Sequence, residues 1–598
     1  MFDNKVAIVK TDKFSYPDQD IFCRLSDPSD FSGVEDNHIY NMVTDCLRLL
    51  DLDSEHYGTT EWNPLGRFIS PGDRVLLKPN MVLDSNRIKE NGTDCLITNP
   101  SIVAAILDYA VRAGDKESTY VIGDAPLSDC DFDKLVEENG YNRIVSLYRE
   151  RGYDVRLVDF RNVKVWKDEL GIRRDQNDDR QFDNGIVVKL NELSAFNGLS
   201  EDHLRRLRVT DYDPRIIIRH HTTELHEYMI SRELLQADAV INLPKPKTHR
   251  KAGITASLKN MVGINSNKEF LPHHTLGSRE EGGDDYEKKN SDLSEAEKLL
   301  DERNILNQEG RLEEAADKSK AFSQKFREGQ SSEYYFEGSW FGNDTIWRTI
   351  DDLNRILYYA DKSGKICSTV QRKVLSIGDM VISGSGEGPL APEPVNCGVL
   401  IGGEDPLLFD RTVCSIMGFD YHKVPVLNEN SAKTLRTGAC PLQGEDTPEI
   451  VSNDSRYNLK DLEEIQNIGD CIFVPAFGWQ AALGHSYIDE ISGNLMSMDQ
   501  FFESVAHNDR RKIAIYGAGM RGIEVYNNLK SKGIAIDQFV DGDNNKHKKD
   551  YYDGISCTSL KDCVDSSYFL ITIRSLSTRV EVAHQIVNAY PHSNIVFS

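Results

Sequence analysis

The chain reads as an α/β protein with a doubly wound, mostly parallel sheet at its core and a Rossmann-like domain at its C-terminus. Three observations predict this. Short apolar runs such as Val75–Leu77, Tyr120–Ile122 and Ala239–Ile241 alternate with stretches of helical spacing, as in stacked βαβ units. The runs are continuously apolar, so they suit strands covered on both faces. Several end in polar, reactive residue types: Lys78-Pro79-Asn80, Asp124, and Pro244-Lys245-Pro246-Lys247-Thr248-His249. In open α/β sheets ligands bind at that end of the strands.

Taken in order, Lys5–Lys10 is a first strand. Ile39, Met42, Val43, Cys46, Leu47 and Leu50 recur at helical spacing within 37–52. Pro71-Gly72-Asp73 turns the chain into a second strand, Arg74–Leu77. Asn99-Pro100-Ser101 starts a helix running to about Arg112, because Pro suits the first helical position. Tyr120–Gly123 is a third strand. Between about 153 and 233 the runs Val155–Val158, Val163–Trp166, Ile186–Leu190 and Ile216–Ile218 predict a β-rich insertion. Residues of about 280–330, rich in Glu, Lys, Asp, Ala and Leu, predict a charged helical insertion. A helix follows Gly342-Asn343-Asp344, with Ile346, Ile350, Leu353, Ile356 and Leu357 as its apolar face and Asp344, Arg348, Asp351 and Asn354-Arg355 on its other sides, either solvated charges of a core helix or groups with a role at the site. Ser376–Ser383 and Gly398–Gly402 are strands, and Glu404-Asp405-Pro406 caps a further helix. The core is expected over 1–428, a connecting segment with one more strand at Ile472–Val474 over 429–508, and the C-terminal domain over 509–598.

At 598 residues the chain is multidomain, and 39% hydrophobic with 28% charged residues is a globular balance. A net charge of −26 argues against general binding to nucleic acid or an anionic membrane, while leaving room for a local basic pocket. The 11 cysteines include no Cys-x-x-Cys pair, which argues against an iron–sulfur cluster, structural zinc or a disulfide framework. Scattered thiols fit a reducing compartment. No run approaches a membrane-spanning length, so the expectation is a cytoplasmic protein without membrane insertion, with homo-oligomers open to it.

The candidate site is built from strand ends. Lys78, Asn80, Lys245, Thr248 and Asn260 are expected to hold an anionic substrate, with Gly386, Glu387 and Gly388 closing the far wall as a backbone cradle. His249 is the candidate general acid/base, with an ordinary pKa of about 6.5. Lys247, Asp124 and Lys259 complete the catalytic set, Asp124 as base or metal ligand and Lys259 as an electrostatic or covalent group. A His-rich stretch offers His220, His221, Glu224 and His226 as ligands for a divalent metal; on a strand His220, Glu224 and His226 would share one face.

In the C-terminal domain the strand Lys512–Tyr516 leads into Gly517-Ala518-Gly519-Met520-Arg521-Gly522, a G-x-G-x-x-G that opens a helix, and Asp541 closes the next strand 24 residues after Gly517. That context suits a nucleotide: glycines for the turn and close approach, a helix N-terminus for phosphate, and Asp541 for ribose. Its short length favours a mononucleotide or sugar nucleotide over a full dinucleotide.

With Lys78-Pro79-Asn80, Asp124, Asn242-x-Pro244-Lys245-x-Lys247-Thr248-His249, Leu258-Lys259-Asn260-Met261-Val262-Gly263 and Gly386-Glu387-Gly388-Pro389, the chain resembles the domain-of-unknown-function 362 family over about 1–428. Many members carry ferredoxin-type cysteine clusters that are absent here, so the resemblance implies no electron transfer. The insertions and C-terminal module are similar to versions in polysaccharide gene clusters, which implies an enzyme of group transfer, ligation or epimerisation on a sugar or sugar-nucleotide precursor. His249, Gly253 and Lys259 also resemble a segment of lactate racemase-like proteins, in which the lysine tethers a nickel-pincer nucleotide. The glycine pair before that lysine is Ser257-Leu258 here. A non-catalytic nucleotide-sensing scaffold is the third expectation.

Overall fold

The computed structural model describes residues 2–18, 37–164, 167–173, 184–329, 336–483, 493–496, 498–506, 512–564, 566–573 and 576–597. They form two compact units, Met1–Leu483 and Gly484–Ser598.

The first unit is built on a ten-stranded sheet: β1 (Lys5–Lys10), β2 (Arg74–Pro79), β3 (Thr119–Asp124), β4 (Asp154–Asp159), β5 (Ala239–Leu243), β6 (Lys247–His249), β7 (Gly253–Thr255), β8 (Lys373–Glu387), β9 (Ala391–Gly403) and β10 (Glu449–Ser452). The order is β10-β1-β9-β8-β5-β2-β3-β4, with β6 beside the far end of β8 and β7 beside β6. Strands β8, β5, β2, β3 and β4 run parallel, and β9 is antiparallel to both β8 and β1. Lys78 pairs with Asn242 in register, so β2 and β5 end at the same level.

Both faces of the sheet are covered because successive strand residues point to opposite sides. Leu76, Val121 and Val240 enter one core, and Val75, Leu77, Ile122 and Ile241 enter the other. Helices α1 (His38–Leu49) and α2 (Pro100–Ala113) pack into the second core through residues including Ile39, Val43, Ile102 and Ile106. The short α3 (Ser257–Asn260), α4 (Ile346–Tyr359) and α5 (Pro406–Ile416) serve the first. The expected caps form: Asn99 accepts from Ser101 N, and Asp405 from Leu407 N and Leu408 N. Asn343 Oδ1 accepts from the amides of Thr345 and Ile346 at the start of α4.

Several expectations need correction. Residues 153–233 are not purely β: Asp154–Asp159 belongs to the main sheet, Gly185–Lys189 pairs with Glu227–Ser231, and Ile216–Ile218 lies in the helix Pro214–His220. That helix begins at Asp213-Pro214, where Asp213 accepts from Arg215 N. Val163–Trp166 falls partly outside the described residues. The charged insertion is the helix pair Ser291–Gln308 and Leu312–Gly329. The first unit extends past 428, because β10 adds to β1 as the sheet edge. Ile472–Val474 is irregular chain, tied to β8 through Val474 N to Ser385 Oγ. Asp351, Asn354 and Arg355 of α4 are buried rather than solvated, since loops and helices cover that side too.

The second unit carries a sheet with strands β11 (Ile513–Tyr516), β12 (Gln538–Val540), β13 (Ile555–Thr558), β14 (Tyr568–Ile571) and β15 (Asn594–Phe597) running parallel in the order β15-β14-β11-β12-β13. This is a doubly wound order whose reversal lies between β11 and β14. Among the described residues no helix is long and apolar enough to cross a membrane.

Candidate functional site

Asn80, Asp124, Lys247, His249, Lys259 and Asn260 line one cavity of about 220 Å³. It lies at the C-terminal ends of β2, β3 and β5, where these strands hand over to loops. Register explains the convergence: parallel strands that end level present their following residues at one edge.

Asp124 anchors this edge. Its Oδ1 lies 2.8 Å from Lys78 Nζ, and both side chains are buried. Oδ1 also accepts from Ala125 N, and Oδ2 accepts from Met81 N at 2.7 Å. A carboxylate held by three donors fastens β2 to β3 at the cavity wall. Burial lowers the Lys78 pKa, and Asp124 opposes that.

A directed chain of amides runs across the strand ends. Lys247 Nζ donates to Asn80 Oδ1 at 2.8 Å and to Leu96 O. Asn80 must then present Nδ2 to Asn260 Oδ1, 3.0 Å away. Asn260 Nδ2 in turn donates to Lys78 O and to Asn242 Oδ1 at 2.7 Å. The lysine, a donor on both bonds, thus sets the orientation of every amide after it.

His249 is held as a neutral ring. Its Nδ1 accepts the backbone amides of Lys251 and Ala252 at 3.0 and 3.1 Å. Two donors on Nδ1 leave the proton on Nε2. Burial, then the charges of Lys259 and Arg250, push its pKa well below the ordinary value. The ring is therefore a hydrogen-bond donor near pH 7, not the general base of the expected kind.

The short helix α3 carries Lys259. Its start is clamped by Asp410, which accepts from Ser257 N at 2.6 Å and Leu258 N at 3.0 Å. Asn354 of α4 donates to Leu258 O at 2.9 Å. Burial raises the Asp410 pKa to about 8.

The cavity is cationic: seven Lys or Arg side chains line it against three Asp. Burial, reinforced by Lys245, brings Lys247 to about 7. Burial, reinforced by Lys268 and Lys251, does the same to Lys259. Lys268 falls to about 8, chiefly through burial. Lys251, which belongs to the basic run after β5, lines the cavity, as do Lys268, Arg87, Arg250 and His273, which the sequence pattern does not single out. Arg87 stands on a loop remote in the chain and Lys268 opens the short 3-10 turn Lys268–Phe270, and no local pattern marks either.

Other predicted residues lie elsewhere. Lys245 is buried against Asp379 at 2.9 Å and Tyr16 Oη at 2.8 Å, a fastening below the site. Thr248 points its hydroxyl to Gly386 O. Gly386 and Glu387 end the long strand β8 and form no anion cradle: Gly386 N donates to Val474 O, and Glu387 accepts from Phe477 N. Gly388 is small because a Cβ there would meet Thr248 O at 2.0 Å.

The expected metal ligands do not converge. His220 ends a helix, stacks on Phe270 and bonds Glu227 at 2.8 Å. His221 and His226 bond each other at 3.4 Å, and Glu224 lies in the exposed turn between them. Among the described residues no group of three or more His, Cys, Asp or Glu side chains is placed to hold a metal ion.

In the second unit Gly517 has φ of +100°, and a Cβ on Gly522 would meet Gly517 O at 2.1 Å. Gly519 precedes α6 (Met520–Ser531) and faces open space. Asp541 is already engaged: Oδ2 accepts from Ala518 N at 2.7 Å and Lys546 Nζ at 2.9 Å, and Oδ1 from Asp543 N.

Residues 192–415 match the family described as "Domain of unknown function (DUF362)", and residues 509–596 match "C2185-like, N-terminal". A curated relative, the thylakoid-associated protein sll1697 of a Synechocystis species, is 30% identical over 199 residues, or 33% of this chain and 41% of that protein. The chain thus matches less than half the length of that relative.

Proposed function

We propose that the first unit is an enzyme acting on a small phosphorylated or carboxylated molecule bound at the strand-end cavity. One observation carries this reading. A chain of net charge −26 gathers seven cationic side chains around one cavity and brings three of its lysines to about 7, 7 and 8. Holding amines partly uncharged is unfavourable, and a bound anion relieves it by restoring their protons. The neutral His249 donor and the polar Lys247–Asn80–Asn260 chain add orientation, so the cavity binds one face of its ligand selectively.

Calorimetry of the full chain with pyrophosphate, citrate and a sugar phosphate, in buffers of different ionisation enthalpy, tests this. Binding accompanied by proton uptake, and weakened about tenfold or more by Lys268→Met, is expected. Loss of the reading follows if none of these anions binds, or if Lys268→Met binds them as the wild type does.

For the second unit a nucleotide is the reading favoured by the open Gly519 and the strand-order reversal beside it. Asp541, tied to Ala518 N, shapes the glycine loop in that reading. Titration with ATP, ADP and a uridine diphosphate sugar, against Gly519→Val, is the check: binding that survives the substitution refutes it.

A further inference from the structure

We infer that Lys259 is a nucleophilic amine that forms an imine with a carbonyl compound bearing a carboxylate or phosphate. This deepens the anion reading and rests on it.

The geometry sets Lys259 apart from every other lysine at this sheet edge. Lys78 pairs with Asp124, Lys245 with Asp379, and Lys247 donates to Asn80 and Leu96 O. Lys251 donates to Thr210 Oγ1 at 3.1 Å, and Lys268 to Ala125 O at 2.8 Å. For Lys259 the described residues offer no hydrogen-bond acceptor and no carboxylate. The amine opens onto the cavity, and its helix is fixed from below by Asp410 and Asn354. A half-buried amine with no partner is an unfavourable arrangement for packing alone. It suits a group whose partner is the substrate. Burial and the neighbouring Lys268 and Lys251 also bring its pKa to about 7, so much of it carries a free lone pair at neutral pH.

The step balances without a further reactant. The Lys259 nitrogen lone pair forms a C–N bond to the carbonyl carbon, and the carbonyl π pair moves to oxygen. That oxygen takes one proton from the nitrogen and one from solvent and leaves as water. The product is a protonated imine, whose charge the substrate's own anionic group offsets. Lys268 and Lys251 hold that anionic group, and the neutral His249 donates from Nε2 to the carbonyl oxygen.

Glyoxylate with sodium cyanoborohydride tests the idea on the full chain at pH 7, because it is small, anionic and an aldehyde. Peptide mass spectrometry should find carboxymethyl groups on Lys259 roughly tenfold or more sooner than on surface lysines, whose amines are almost wholly protonated there. Pyrophosphate should slow that labelling selectively. Lys259→Arg should lose the label while still binding pyrophosphate. Labelling of Lys259 no faster than of surface lysines, or a purified chain in which Lys259 is already blocked, overturns the inference. If pyrophosphate binds through Lys268 and Lys259 is still not labelled, the imine fails and the anion site stands. If pyrophosphate does not bind at all, the anion site fails first.

Discussion

Gly263 leaves no room for a side chain beside Asp124: a Cβ there would lie 1.9 Å from Asp124 Oδ1 and 2.8 Å from Lys78 Nζ. Gly263 O also accepts the amide of Ala125 at 2.9 Å, so the 3-10 turn Met261–Ile264 that follows α3 is pressed onto the end of β3. Gly263→Ala must displace the carboxylate or the loop. We expect a stability loss of about 1–3 kcal/mol, the usual range for overpacking, read by urea denaturation. A neutral result would mean that this contact yields freely.

Lys78 and Asp124 make a buried pair, so removing one partner strands the other. Lys78→Met or Asp124→Leu alone should lose roughly 3–5 kcal/mol, and the double substitution should recover much of it. A thermodynamic cycle in which the two losses simply add would show that the pair is not coupled.

Stability should depend on pH through the cavity lysines. Lys247, Lys259 and Lys268 sit at about 7, 7 and 8 in the folded chain, below the ordinary 10.5. Between about pH 7 and 10 the unfolded chain therefore holds more protons than the folded one. The contribution of these three groups to stability rises with pH across that window. A bound anion raises the folded values, so pyrophosphate affinity should fall from pH 7 to pH 9. Denaturation at pH 7, 8 and 9, with and without pyrophosphate, reads both slopes; affinity that holds constant or grows would contradict the linkage.

His249 should stay neutral through pH 6.5, the ordinary midpoint of a histidine, with its proton on Nε2. Nitrogen-15 spectra of the ring should show a bare Nδ1 and no titration midpoint near 6.5. A midpoint near 6.5, the ordinary value, would return His249 to the role of general base.

The candidate site was half legible from the chain. The Lys-Pro-Asn ending of β2, the acid ending β3 and the Lys-Thr-His run after β5 mark the strand ends in the sequence, because the polar residue types begin where each continuous apolar run stops. The roles were less legible. Lys245 and Lys247 stand two apart in one run, yet Lys245 is paired beneath the site and Lys247 lines it. Gly386 and Gly388 resembled an anion loop, and Gly388 is small only because Thr248 O approaches it.

By itself the sequence determined the class of fold, and it marked the polar strand ends that line the cavity. These rest on local periodicity and on caps such as Asn99 and Asp405, whose partners lie within three residues. Only the tertiary structure decided which lysines have partners and that Lys268 and Arg87 join the cavity. Those properties depend on burial and on contacts between residues far apart in the chain, and neither leaves a mark at any one position.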